Sequence, residues 1–320
     1  VAQHFLLSAK ARILSLRAIY KAGEEAAYET FRKMRWPETD GGAICPRCGG
    51  CDAYDIATRR KFKCRACRHQ FSVTSGTIFA SRKMAFVDLL AAICILVNGS
   101  KGMSAVQLSR TLDCQYKTAF VLAHKLREAM ALEVQTGEVL DGHVEVDGAY
   151  FGGHVRPENR KEDRKDRRLK ENRSPNRRVV VVFRERQGRA LPFVVKDEVD
   201  GVSLAKMHVD RLATMSADEA PHWDALHAGW TVGRINHSLA YSEDGNCTNQ
   251  AESYFSRLRR MIGGQHHFVS GQYLHQYANH AAWLEDHSRK DNGTLARNVV
   301  ANAMASPVSR QWAGYWQRAA

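Results

Sequence analysis

The chain has 320 residues, 44% apolar and 25% charged, a balance that supports buried cores and excludes a disordered tail protein. Lys and Arg number 47 against 34 Asp and Glu, and the net charge of +13 directs attention to a polyanionic partner, nucleic acid first. No run reaches the roughly 18 apolar residues that a membrane-spanning helix needs. The N-terminal residues lack the pattern of a secretory signal, so a protein that stays inside the cell, with no membrane partner, is expected.

Between Lys21 and Arg35, Ala22, Ala26, Ala27, Phe31 and Met34 recur at helical spacing until Trp36-Pro37 stops the pattern. Cys45-Pro46-Arg47-Cys48 and Cys64-Arg65-Ala66-Cys67 then form two C-x2-C pairs fifteen residues apart, the spacing of a four-thiolate zinc site. The stretch from Tyr54 to Phe62 has the length of a hairpin that brings the pairs together, and Cys51 is a bystander. Zinc would supply the folding energy that so small a module lacks. Arg47, Arg59, Arg60, Lys61, Lys63, Arg65 and Arg68 give this knuckle a basic surface.

Met84 to Val97 reads as a core helix, and two further helical patterns run from Ser104 to Leu112 and from Gln115 to Met130. Ser104 suits an N-cap and Asp113-Cys114 a turn, so the pair has the spacing of a helix-turn-helix. Its second helix would present Gln115, Tyr116, Lys117 and Thr118 to base edges. Ala119, Leu122, Ala123 and Leu126 would face inward, with Lys117, Lys125 and Arg127 placed to meet phosphates.

The period changes near Val144, where Val144 and Val146 flank Glu145 and lead to Asp147. Val179 to Phe183 reads as a buried strand, Ala190 to Lys196 as its hairpin partner, Val202 to Ala213 as a helix and Thr214 to Ala217 as a strand leading to Asp218. Together these make an α/β domain. Within it, residues 154–178 hold eleven Lys or Arg and five Asp or Glu, with almost nothing apolar to bury. That insert should be a flexible basic loop until an anion orders it.

Asp147 and Asp218 follow strand patterns, and Glu252 lies at the start of an amphipathic helix, so three acids from two strands and a helix can converge. Clustered carboxylates repel unless hard cations neutralise them, and their complement is a pair of Mg2+ or Mn2+ ions. Two such ions activate an attacking oxygen and stabilise a leaving oxygen in phosphodiester displacement. Arg259 falls on the same helix face as Glu252, two turns on, with Arg257 and Arg260 beside it; all three are candidates for holding a phosphate.

In combination these residues resemble bacterial insertion-sequence transposases of the insertion-sequence 1595, or ISXO-type, family. The likeness is carried by Arg35-Trp36-Pro37, the cysteine pairs and Phe71-Ser72-Val73-Thr74-Ser75-Gly76-Thr77-Ile78-Phe79. It continues in Val146-Asp147-Gly148-Ala149-Tyr150-Phe151-Gly152-Gly153, Ile235-Asn236-His237-Ser238, the segment from Asn249 to Arg260, Gly264-Gln265-His266-His267 and Gly314-Tyr315-Trp316-Gln317-Arg318. The resemblance implies a zinc ribbon followed by an RNase H-like DDE domain in which Asp147, Asp218 and Glu252 form the metal-binding triad. Glu219 and Asn249 stand in reserve, Gly148 takes a position where such proteins commonly carry an acid, and Arg259 replaces the usual lysine.

The expected fold class is therefore mixed multi-domain α/β. Its parts are an N-terminal helical segment (1–40), a zinc ribbon (41–80), a helix-turn-helix-like region (81–135), an RNase H-like mixed sheet flanked by helices (140–290) and a C-terminal tail (291–320). The expected activity is metal-dependent cleavage at element ends and strand transfer into target DNA, by a homo-oligomer when two ends are synapsed, in the bacterial cytoplasm at the nucleoid. The alternatives are a zinc-ribbon DNA-binding regulator whose α/β domain is inactive, and a nuclease that cuts without joining.

Overall fold

The structure, a computed structural model, describes residues 5–153, 158–166, 170–172, 174–236, 242 and 245–317. Two units separate by their internal packing, one formed by 1–133 with 287–320 and the other by 134–286. In the first, helix α1 (Leu16–Arg35) begins at Ser15, whose hydroxyl accepts from the Ala18 N–H. Gly23 interrupts it at φ +80°, a left-handed conformation that suits a residue without Cβ.

A three-stranded antiparallel sheet follows, β1 (Ala53–Ile56), β2 (Lys61–Cys64) and β3 (Gln70–Phe71). The buried Trp36 ring packs edge-on against Phe62 at 5.5 Å and Phe71 at 6.3 Å, so the residue that ends α1 also floors this small sheet. Helix α2 (Phe86–Asn98) is buried along nearly its whole length, as its unbroken apolar sequence requires. Helices α3 (Ala105–Thr111) and α4 (Tyr116–Gln135) meet across Asp113 at φ +49°. Ser104 caps α3 through the Gln107 N–H at 3.1 Å, and Ala119, Leu122, Ala123 and Leu126 are all buried.

The second unit is built on strands β4 (His143–Phe151), β5 (Arg178–Glu185) and β6 (Ala190–Val195), helix α5 (Asp200–His208), then β7 (Thr214–Asp218) and β8 (Thr231–Ile235). Their order is β6-β5-β4-β7-β8. The first three strands pair antiparallel, while β7 and β8 add in parallel, giving the mixed 3-2-1-4-5 sheet of an RNase H-like fold. Val179 through Phe183 are fully buried; because successive strand residues point to opposite faces, both faces of the sheet are covered. Helices α6 (Asn249–Met261) and α7 (Leu274–Asp286) pack on one another and against the antiparallel strands.

Of the basic insert, residues 154–157, 167–169 and 173 lie outside the described residues; 158–166 are exposed throughout. His237, Ser238 and Arg318 of the family-like segments are also outside them. Residues 291–320, read from sequence as a tail, hold helix α8 (Asn292–Ala305), which packs on α1 and α2. Asn292 both donates to and accepts from the Leu14 backbone, at 2.7 and 3.0 Å, so the end of the chain completes the first unit.

Candidate active site and zinc centre

Cys45, Cys48, Cys64 and Cys67 lie with their sulfur atoms within 4.8 Å of one another, the one metal-binding group of that tightness among the described residues. Two sulfur pairs, Cys45–Cys67 and Cys48–Cys64, are each 3.6 Å apart. A tetrahedral zinc with Zn–S bonds of about 2.3 Å has sulfur–sulfur edges of about 3.8 Å, so the donor set fits zinc. Gly49 and Arg68, each four residues after the first cysteine of its pair, both adopt positive φ and turn the chain so that each pair opens toward the same point. Cys51 is exposed and stands apart from the group. Part of the basic surface expected here is committed within the molecule: Arg60 pairs with Glu24 and Glu25, and Arg65 with Asp52.

In the second unit, Val146 pairs with Ala217 across parallel strands β4 and β7, which sets Asp147 and Asp218 side by side on the same face. Asp218 Oδ1 accepts from the Ala220 N–H at 3.1 Å, a turn that fixes the carboxylate at the end of β7. Burial pushes the Asp147 carboxyl up to about 7; the charges of Asp218, Glu252 and Glu198 push the same way, and the Gly148 N–H bonded to it at 2.7 Å opposes them. The three expected acids thus act on one another electrostatically. Glu252 lies exposed in the first turn of α6, and Asn249 is exposed at its start.

Glu145 also faces this side of β4, two residues before Asp147 and fully buried. Its Oε1 accepts from Arg186 Nε at 3.0 Å, and its Oε2 accepts from the N–H groups of Gln250 and Ala251 at 2.8 and 3.2 Å. These are orphan amides at the N-terminus of α6, so a strand carboxylate caps the helix that carries Glu252. Arg186 continues the network to the carbonyl of Gly245 and the sulfur of Cys247. Neither Glu145 nor Arg186 was among the site residues expected from the sequence. The available signal was an acid between two core valines on the same strand face as Asp147.

Glu198, before α5, was also missed. A Cβ on Gly148 would stand 2.6 Å from Glu198 Oε1, so this carboxylate fills the space beside the glycine. Tyr150 donates to Glu198 Oε2 at 3.2 Å, and His222 Nε2 lies 3.5 Å from the same oxygen.

Among the expected phosphate contacts, Arg127 is corrected: it is 1% exposed and donates to the Met103 carbonyl at 3.2 Å, so it is a buried structural residue. Arg257 is bound to Glu285 of α7, which commits its charge internally. Lys117, Arg259 and Arg260 are exposed, and Lys125 is half-buried. Arg259 stacks on Phe255 with its guanidinium 5.7 Å from the ring.

A transposase zinc-ribbon domain model matches residues 22–70, and an ISXO2-like transposase domain model matches 139–286, each from the insertion-sequence 1595 group. The chain belongs to the insertion-sequence 1595 transposase family. Together the two matches span more than half of the chain, in the order ribbon then catalytic-type domain. No curated protein matches the sequence. Among solved structures, similarity extends to a Mos1 mariner paired-end complex with Mn, at 12% identity and TM-score 0.22. A pre-cleavage Mos1 transpososome is similar at 10% identity and TM-score 0.24, and each match covers 67% of this chain and 78% of the other. No helix of the described residues is long and apolar enough to cross a membrane.

Proposed function

We propose that this family member is an active DNA transposase that cleaves phosphodiesters at insertion-sequence ends and joins the freed 3′ ends to target DNA. The observation that carries this reading is the placement of Asp147 and Asp218 at matching positions on adjacent parallel strands, beside the capped helix of Glu252. A carboxyl raised to about 7 chiefly by burial, with the charges of Asp218, Glu252 and Glu198 adding to the shift, is a site short of positive charge, and its oxygen donors suit Mg2+ or Mn2+. Held by Asp147, Asp218 and Glu252, two such ions would activate the attacking oxygen and stabilise the leaving one.

The residues of the chain have separable tasks in this scheme. The two aspartates are presented by strands that cannot shift register without moving core valines to the wrong face. Glu145 and Arg186 hold the start of α6 to the same strand face and thereby fix Glu252. Arg259 and Arg260, exposed about two turns further along α6, would bind phosphates that flank the scissile one. Lys117 and the polar start of α4 would engage element-end DNA, and synapsis of two ends calls for a homo-oligomer acting on the bacterial nucleoid. Glu219 and Asn249 remain reserve ligands.

The test is cleavage and strand transfer by the zinc-loaded chain on labelled element-end DNA with Mg2+, beside Asp147→Asn and Glu252→Gln. Nicking and joining abolished by both substitutions, with DNA binding retained, is the expected result. Tight binding without cleavage under Mg2+ or Mn2+ would instead make the chain a DNA-binding regulator, and cutting without joining would make it a nuclease.

A further inference from the structure

The family-like segment Gly314-Tyr315-Trp316-Gln317 takes no part in the catalytic-type domain; it lines an open cavity in the first unit. This cavity, of about 560 Å3, lies between the residues that precede α2, the N-terminal half of α4 and the last turn of the chain. Arg82, Lys83, Lys117 and Lys125 line it, and none of its lining residues is an Asp or Glu. The Arg82 guanidinium is stacked on Phe86 and donates to the Met84 carbonyl, which leaves the three lysines as the cations best placed to face a ligand.

Beside the lysines the lining is aromatic. Trp316 is 45% exposed, its indole N–H donates to the Lys117 carbonyl at 3.3 Å, and the Lys117 ammonium lies 5.2 Å from its ring. Tyr315 packs at right angles to Trp316, 5.1 Å between centroids, so one ring braces the other. Burial lowers the Lys125 pKa, and the Glu128 carboxylate opposes the shift. Gln115 and Thr118 add hydrogen-bonding groups at the start of α4.

Each wall excludes a class of occupant. A neutral apolar ligand has no use for three lysines, and the paired bases of an intact duplex are not free to lie against an indole. An unpaired nucleotide matches both, with a phosphate for the lysines and a flat base for the ring. The volume lies in the range of sites that enclose a small organic molecule. We infer that this cavity binds one unpaired nucleotide of the DNA strand held by the helical unit, its phosphate at Lys117 and Lys125 and its base against Trp316. The inference rests on the proposed reading that this unit binds DNA, and it adds extrusion of a base to that reading.

Two measurements on the full zinc-loaded chain test it. In the first, element-end duplexes carry 2-aminopurine at successive positions; because an indole quenches a base stacked on it, one position should stay dim in the parent complex and brighten several-fold in the Trp316→Ala complex, while duplex affinity changes little. In the second, short oligothymidylate should quench tryptophan fluorescence, with affinity reduced roughly ten-fold by Trp316→Ala or Lys125→Ala. Trp316 is partly exposed, so zinc content and helical circular dichroism should be those of the parent. A chain that fails to bind element ends yet is quenched by oligothymidylate in this Trp316-dependent way upholds the cavity and removes the end-binding reading. A chain that binds and cuts element ends with no position that brightens in Trp316→Ala and no such quenching overturns the cavity inference alone. Thymidine monophosphate binding as tightly as the oligonucleotide overturns it too, since the site would then serve a free nucleotide.

Discussion

Glu145 Oε2 accepts the Gln250 N–H at 2.8 Å, so a carboxylate on β4 is tied directly to the start of the helix that carries Glu252. Asp147 stands two residues further along the same strand. The distance between the first and third acids is therefore set by a buried hydrogen bond, in addition to the general packing of α6 on the sheet. The same carboxylate neutralises Arg186, which reaches the loop before α6 through Gly245 and Cys247. Removing it would leave a cation without its anion and helix amides without an acceptor.

Glu145→Ala should accordingly cost about 3–5 kcal/mol of stability in the second unit, the range for breaking one side of a buried ion pair. Glu145→Gln keeps one acceptor but must turn an NH2 toward either Arg186 or the amides. It should fold with a lower melting temperature and lose most strand cleavage while retaining zinc and DNA binding. Unchanged cleavage by Glu145→Gln would show that α6 needs no anchor at this strand.

Asp147 gives the second prediction, and its sign is fixed by the direction of the shift. The carboxyl titrates near 3.8 when unfolded and at about 7 in the fold, so folding takes up a proton between those values. Stability from this group is greatest below pH 4, declines as pH rises through 7, and stays low above, by about 4 kcal/mol in all for a shift of that size. In metal-free protein, Asp147→Asn should therefore raise the melting temperature at pH 8 and leave it little changed at pH 4. Added Mg2+ should stabilise the parent chain at pH 8 and leave the variant nearly unaffected. Identical pH profiles for parent and variant would refute the burial conflict at this carboxyl.

Much of this arrangement was legible in the sequence because it depends on local pattern. The C-x2-C pairs, the valine run of β5, the serine cap at Ser104 and the strand leading to Asp147 each need only neighbours along the chain to be read. Features set by contacts between distant segments escaped. Strand β8, Thr231–Ile235, has a glycine at its centre and only two large apolar residues, and it becomes a strand because β7 offers a parallel edge. Helix α8 returns to α1 and α2 across almost the whole length of the chain, which no local window reveals. Arg127 sits on a helix expected to face DNA; its position on the buried side depends on tertiary packing and the Met103 carbonyl. Glu198 is the instructive case at the site: its carboxylate occupies the space beside Gly148, so an acid distant in sequence lies where the strand itself offers no side chain.

Removal of zinc should unfold the ribbon first. Its sheet has strands of four, four and two residues, too little to persist without the metal. Cys64→Ser, or chelation of the parent chain, should expose Trp36 from beside Phe62 and Phe71 and shift tryptophan emission to the red. Metal analysis should return one zinc per chain in the parent, and Cys51→Ser should change neither the zinc content nor the emission.

Lys117 and Arg127 of α4 separate a contact role from a structural one. Lys117 is exposed, so Lys117→Ala should weaken binding to element-end DNA across sequences and reduce the slope of log affinity against log salt by about one. Arg127 is buried and bonded to a backbone carbonyl, so Arg127→Ala should instead lower thermal stability, by about 1–3 kcal/mol through lost packing and an orphaned acceptor, with the salt slope unchanged. Filter binding at several salt concentrations, beside thermal melts of both variants, distinguishes the roles. A salt slope reduced by Arg127→Ala in a chain that melts like the parent would place this guanidinium on the DNA and require α4 to rotate from the packing described above.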